Sequence, residues 1–165
     1  NMYSLFKGAT FFNQPINSWD VSNVVNMNRM FFEAFSFNQT LSGWNVSNVG
    51  NMGFMFYQAT TFNQALDNWD VSNVTSGYLS GLFAMFAGAT SFNQPLNSWN
   101  ISNVINMKAM FNGATSFNQP LDNWDVSDVI DMQQMFEGAT SFNQPLNTWD
   151  VSNVCLLYTS PSPRD

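Results

Sequence analysis

Apolar residues recur along this chain with two alternating spacings. Leu96, Trp99 and Ile101 stand three and then two apart, and Leu121, Trp124 and Val126 repeat the pattern. The Trp-x-Val step is the two-residue alternation of a strand carried by β-formers, and it ends at Ser-Asn. Val104, Met107, Met110, Phe111 and Ala114 then follow at spacings of three, three, one and three. That pattern predicts one face of a short helix, α or 3₁₀ in character, about two turns long. Ser102 or Asn103 is placed to cap its start, and Gly88, Gly113 and Gly138 to close equivalent ends with a left-handed residue. A Phe-Asn-Gln-Pro corner turns the chain back, with Pro95, Pro120 and Pro145 excluding helix. Each unit reads as strand, short helix, corner.

The unit is written six times. Trp19, Trp44, Trp69, Trp99, Trp124 and Trp149 lie 25, 25, 30, 25 and 25 residues apart, and Phe12 to Phe142 keep the same intervals, always before Asn-Gln. The long interval holds five extra residues, which align best as Ser76–Ser80. A fixed period means a solenoid whose coils pack only on their neighbours. The predicted fold class is an α/β solenoid: parallel strands stacked about 4.8 Å apart, joined by right-handed crossovers through short helical returns. Trp, Val, Met, Phe, Ala and Leu would form ladders inside. The Met pairs at Met27/Met30, Met52/Met55, Met107/Met110 and Met132/Met135 read as core filler, because a thioether adapts to irregular gaps.

Composition narrows the chemistry. Of 165 residues, 45% are hydrophobic, 16% aromatic and only 9% charged, with no His, one Cys and a net charge of −7. No run of about 18 apolar residues is present to suggest a membrane span. Asn supplies the polarity, 24 residues against four Lys+Arg. Four basic residues cannot build a phosphate-tracking stripe, so nucleic acid is not an expected partner. Zinc binding and Cys/His catalysis lack their side chains, and no cofactor is expected.

The native array is expected to cover residues 1–154 as one domain, cut at both ends. Residues 155–165, Cys-Leu-Leu-Tyr-Thr-Ser-Pro-Ser-Pro-Arg-Asp, break every preceding pattern and match the translated read-through of a transposase sequencing adapter. They are read as a scar and not as protein. Without them the only Cys disappears and the charge is unchanged.

The stretch Met-Phe-x-Gly-Ala-Thr-Ser-Phe-Asn-Gln-Pro-Leu-Asn-x-Trp-Asp-Val-Ser-Asn-Val closely resembles the repeat of about 25 residues found in BspA-like surface proteins, within the leucine-rich-repeat superfamily. The resemblance implies a leucine-rich-repeat-like coil in a secreted or surface-anchored protein, with adhesion as its role and no catalytic residue to carry over. Departures are modest: Thr40 and Ala65 replace the corner Pro, and Asn45 and Asn100 replace the Asp after Trp. They are expected to loosen two corners and, with the insertion, to interrupt one polar ladder.

Polar ladders are the remaining candidates. Asn13, Asn38, Asn63, Asn93, Asn118 and Asn143, with Gln14 to Gln144 beside them, suit corner hydrogen bonds, or sugar binding if exposed. Ser22, Ser47, Ser72, Ser102, Ser127 and Ser152 have no base to activate them. Asp20, Asp70, Asp125 and Asp150 share the position after Trp. They form a solvated acidic face, or a carboxylate pair for sugar hydrolysis. Asp125, Asp128 and Asp131 are candidate Ca²⁺ ligands. Four sequons stand at Asn38, Asn45, Asn73 and Asn100, and Asn45 and Asn100 are favoured because Asp occupies the equivalent positions elsewhere. The expectation is a non-enzymatic extracellular or cell-surface array that binds surface glycans, proteins or further copies of itself, with filaments as one variant. The alternatives are a carbohydrate-active enzyme using paired Asp, or a protein-recognition module of a longer receptor with Tyr78 as a contact.

Overall fold

Backbone hydrogen bonding decides what the three-residue spacing means. The computed structural model describes residues 1–75 and 81–155. Six coils are numbered from their first Met or Leu: 2–26, 27–51, 52–81, 82–106, 107–131 and 132–155. In coil 5 the amide of Met110 donates to the carbonyl of Met107 at 3.1 Å, Asn112 to Ala109 at 3.1 Å and Ala114 to Phe111 at 3.0 Å. These are successive four-residue turns. The intervening amides leave the coil altogether: Met107 donates to Asp131 at 2.9 Å, Ala109 to Gln133 at 2.8 Å, Phe111 to Met135 at 2.9 Å and Gly113 to Glu137 at 2.7 Å. A helix would have consumed every one of these donors internally.

The expected helical returns are therefore not formed, and neither is the parallel sheet. Among the described residues there is no helix and no strand; the only pairings of strand type are the isolated parallel bridges Asn26–Asn51, Asn51–Gly81 and Asn106–Asp131. A leucine-rich-repeat-like α/β coil is thus the wrong architecture for this chain. Apolar residues three apart mark one face of a helix, but equally the first residues of consecutive tight turns. Left-handed backbone settles which is built. Ala109 (φ +56°) and Gly113 (φ +66°) are the third residues of the turns Met107–Met110 and Phe111–Ala114. A positive φ there is the mark of a type II turn and cannot continue a right-handed helix. The Trp-Val segment is likewise two turns, closed by Trp99 N–H to Leu96 at 3.0 Å and Val104 N–H to Ile101 at 2.8 Å. No capping is needed: Ser102 donates through its amide (3.2 Å) and hydroxyl (2.8 Å) to Oδ1 of Asn100.

The interior is as the pattern predicts. Met27, Met30, Met52, Met55, Met107 and Met110 are fully buried, with Val49, Leu66 and Val129. Two columns of Phe rings run through the pile. Phe31, Phe56, Phe86, Phe111 and Phe136 follow one another at 5.5–5.7 Å between centroids. Phe37, Phe62, Phe92, Phe117 and Phe142 do so at 5.9–6.0 Å. Within a coil the columns touch, as in Phe111–Phe117 at 4.0 Å. Burying each such ring contributes on the order of 2–3 kcal/mol.

Each corner is held by the coil before it. Oδ1 of Asn93 accepts the amide of Asn118 at 2.9 Å and Nε2 of Gln119 at 3.0 Å, and the other corners repeat this. The Asn ladder crosses the insertion unbroken, through Asn93 N–H to Asn63 Oδ1 at 3.0 Å. Thr40 does not loosen its corner: Gln39 still reaches Asn13 Oδ1 at 3.1 Å. The backbone between fixed corners is the platform for what faces solvent.

Candidate functional site

Each Met-Phe segment turns four residues outward: Lys108, Ala109, Asn112 and Gly113 in coil 5, for example. The six copies agree at the inward positions and differ at these. Coils 2 to 4 place aromatic rings there. Phe32 stacks on Tyr57 at 4.6 Å, Phe54 meets Phe83 edge-on at 4.7 Å, and Phe54 lies 5.8 Å from Tyr57. The Arg29 guanidinium sits 4.7 Å over the Phe54 ring. Phe54, Tyr57 and Phe83 are half-buried, so each keeps part of its ring in solvent.

Beyond this shelf the side chains shrink to the buried Ala84 and Ala87 and the half-buried Ala109 and Gly113, which line an open groove of about 500 Å³. Ala84 and Ala109 occupy the left-handed position that Phe54 fills in coil 3. The space thus results from small side chains on an unchanged backbone. Asn112, Gln134 and Glu137 line the end in coils 5 and 6. Nδ2 of Asn112 donates to the Glu137 carboxylate at 3.3 Å. Lys108, on the same face, is occupied by Gln133 Oε1 at 2.7 Å. Sequence reasoning missed this groove, because its residues fall at the positions that do not repeat.

The acidic row is a set of local turns. Asp20, Asp70, Asp125 and Asp150 each accept the amide of the Ser two residues on at 3.0–3.1 Å. The Ser hydroxyl, more than the Ser amide, holds all four carboxyls below the usual carboxylate range. The row is thus stabilised in its ionised form by its own Ser neighbours. Asp125, Asp128 and Asp131 are not brought together. Asp125 bonds Ser127 and Asp131 bonds the amide of Gln133 at 3.0 Å. Among the described residues no group of three or more His, Cys, Asp or Glu could hold a metal ion.

Of the sequons, Asn38 is half-buried and Asn45, Asn73 and Asn100 are exposed, and they differ in what their side chains bond. Asn38 is committed to the corner ladder, accepting Asn63 N–H at 2.9 Å and Gln64 Nε2 at 3.0 Å. Nδ2 of Asn73 donates to the Ser47 carbonyl at 2.6 Å. Asn45 and Asn100 are exposed, and their Oδ1 atoms accept only the following Ser, as the row of Asp does. Tyr78 and Ser76–Ser80 lie outside the described residues.

Coils that agree inward, differ outward and bond only to their neighbours define a tandem-repeat protein. The chain belongs to the family described as Mycoplasma protein of unknown function, DUF285, whose sequence model matches residues 1–80 and again 79–159. No curated protein and no solved structure matches it.

Proposed function

We propose that this chain is a non-enzymatic, surface-displayed binding array, and that the outward face of its Met-Phe turns is where it binds. The observation that carries this reading is the groove: the copies share one interior, and on this face an aromatic shelf, small residues and a polar end adjoin across coils 3 to 6. Extracellular placement and an adhesive role are supported by the resemblance of the Phe-Asn-Gln-Pro-Leu-Asn-x-Trp-Asp-Val-Ser-Asn-Val stretch to BspA-like surface repeats. The depressed carboxyls of the Asp row support a binding role over hydrolysis. Beads coated with the full chain, washed over cultured cells or secreted mucus, provide the test. Retention above that of uncoated beads is expected, and it should fall when Ala109→Phe fills the groove. Equal retention of coated and uncoated beads overturns the reading.

A further inference from the structure

We infer that the groove over Ala109 and Gly113 binds a neutral oligosaccharide, seated with sugar rings on Phe54, Tyr57 and Phe83 and hydroxyls at Asn112, Gln134 and Glu137. The inference rests on the reading of the chain as a binding array and adds the ligand's chemistry.

Three properties of the groove point to this class. The first is its two-ended character. An aromatic ring carries negative charge on its face, which suits the weakly positive C–H bonds of a pyranose. The other end offers two amides, each with donors and an acceptor, and a carboxylate that accepts from neighbouring hydroxyls. A polyol with apolar faces satisfies both ends at once; a purely apolar ligand would leave Gln134 and the remaining donor and acceptor sites of the Asn112–Glu137 pair unmatched.

The second is charge. Glu137 is the charged side chain that lines the groove, while Lys108 and Arg29, which keep their positive charge, are not among its lining residues. The chain as a whole carries −7. An anionic sugar or an acidic peptide would be repelled, so the ligand is uncharged.

Shape is the third. The groove crosses coils 3 to 6, and equivalent rings of neighbouring coils stand 5.5–6.0 Å apart. It is therefore long enough for more than one sugar ring. Its 500 Å³ falls within the range of about 300–1,000 Å³ typical of ligand sites. It is open and shallow, without the fully desolvated anchor pocket on which a protein partner's central residue would rely.

The test uses the full chain titrated with millimolar cellohexaose, xylohexaose, mannohexaose and chitohexaose, and with polygalacturonate as the anionic control. Binding is read by calorimetry and by the NMR signals of the Tyr57 ring. At least one neutral hexasaccharide is expected to saturate and to shift Tyr57. Tyr57→Ala should weaken that binding tenfold or more, with a melting temperature lowered by the lost stack on Phe32, and Glu137→Gln several-fold with its melting temperature unchanged. Ala109→Phe should abolish it, and a fold that already holds Phe54 at that position accepts the ring. The inference is overturned if no neutral sugar binds, if only polygalacturonate binds, or if binding survives both Tyr57→Ala and Ala109→Phe. If beads are still retained on cells, in a manner lost with Ala109→Phe, while no sugar binds, the ligand class falls and the binding array stands.

Discussion

The indole N–H of Trp99 donates to the carbonyl of Leu66, 33 residues earlier, at 2.9 Å. The bond spans the five-residue insertion and joins coil 3 to coil 4 as if nothing lay between. Trp44, Trp69, Trp124 and Trp149 make the equivalent bond 28 residues back, at 2.9–3.2 Å. A buried indole needs such a partner, and the carbonyl, which also accepts the amide three residues on, uses its second lone pair for it.

Trp99→Phe retains most of the apolar bulk but removes one of the two donors to the Leu66 carbonyl, which keeps the Trp69 amide at 3.0 Å. Losing that hydrogen bond costs about 0.5–1.5 kcal/mol, to which the lost ring volume adds. Urea denaturation should show a lower midpoint, and far-ultraviolet circular dichroism an unchanged folded baseline.

Two coils carry a non-glycine residue where the others use glycine in the left-handed conformation: Glu33 (φ +57°) and Gln58 (φ +54°), against Gly8, Gly88, Gly113 and Gly138. Left-handed backbone costs an ordinary L-residue about 1–2 kcal/mol, part of which glycine returns through its freer unfolded chain. Gln58→Gly should therefore raise stability by about 0.5–1 kcal/mol, measured as an increase in melting temperature.

Much of this molecule was legible before any coordinates. The period, the inward residues and the corner amides followed from side-chain identity, since Phe, Met and Trp at fixed intervals have nowhere to go but inside. The backbone between them did not follow. Met107, Met110 and Phe111 satisfy a helix face and a succession of tight turns alike, and the deciding left-handed residues at Arg29, Phe54, Ala84, Ala109 and Gln134 include no glycine to betray them. The Asp row was found, but its partners are the Ser residues two places on, a local bond that no spacing between repeats reveals. The groove had a signal: alignment of the six copies shows Phe54, Tyr57 and Phe83 beside Ala84, Ala87 and Ala109 at the variable positions.

Phe62 lies fully buried in the second ring column, 5.9 Å from Phe37 and 6.0 Å from Phe92. Phe62→Ala opens a cavity between three coils and should cost about 3–5 kcal/mol. Phe142→Ala, at a half-buried copy of the same position, should cost less. Comparing the two denaturation midpoints checks the depth of the column.

Acid should weaken the chain through the Asp row. The folded carboxyls of Asp20, Asp70, Asp125 and Asp150 titrate below their unfolded values. Their contribution is thus present above the unfolded value of about 3.9 and is lost as pH falls through the folded ones. Stability from these groups should hold level between about pH 7 and pH 5 and decline below about pH 4. Replacing all four by Asn, as coils 2 and 4 already do at Asn45 and Asn100, should flatten that acid limb in a melting-temperature series.

If the chain passes through a glycosylating secretory pathway, Asn45 and Asn100 should carry glycans while Asn38 and Asn73 stay bare. Intact-mass and peptide mapping of material secreted from such a host checks this; a glycan on Asn73, whose amide is tied to Ser47, would contradict the assignment.

Among the described residues the hydrogen bonds between coils run to a neighbour one period away. A gene encoding such a chain can grow or shrink by duplicating or deleting whole 25-residue segments, and each new tryptophan still meets a leucine carbonyl. Mutation after duplication then needs to rewrite only the few outward side chains, so a new specificity arises without a new scaffold.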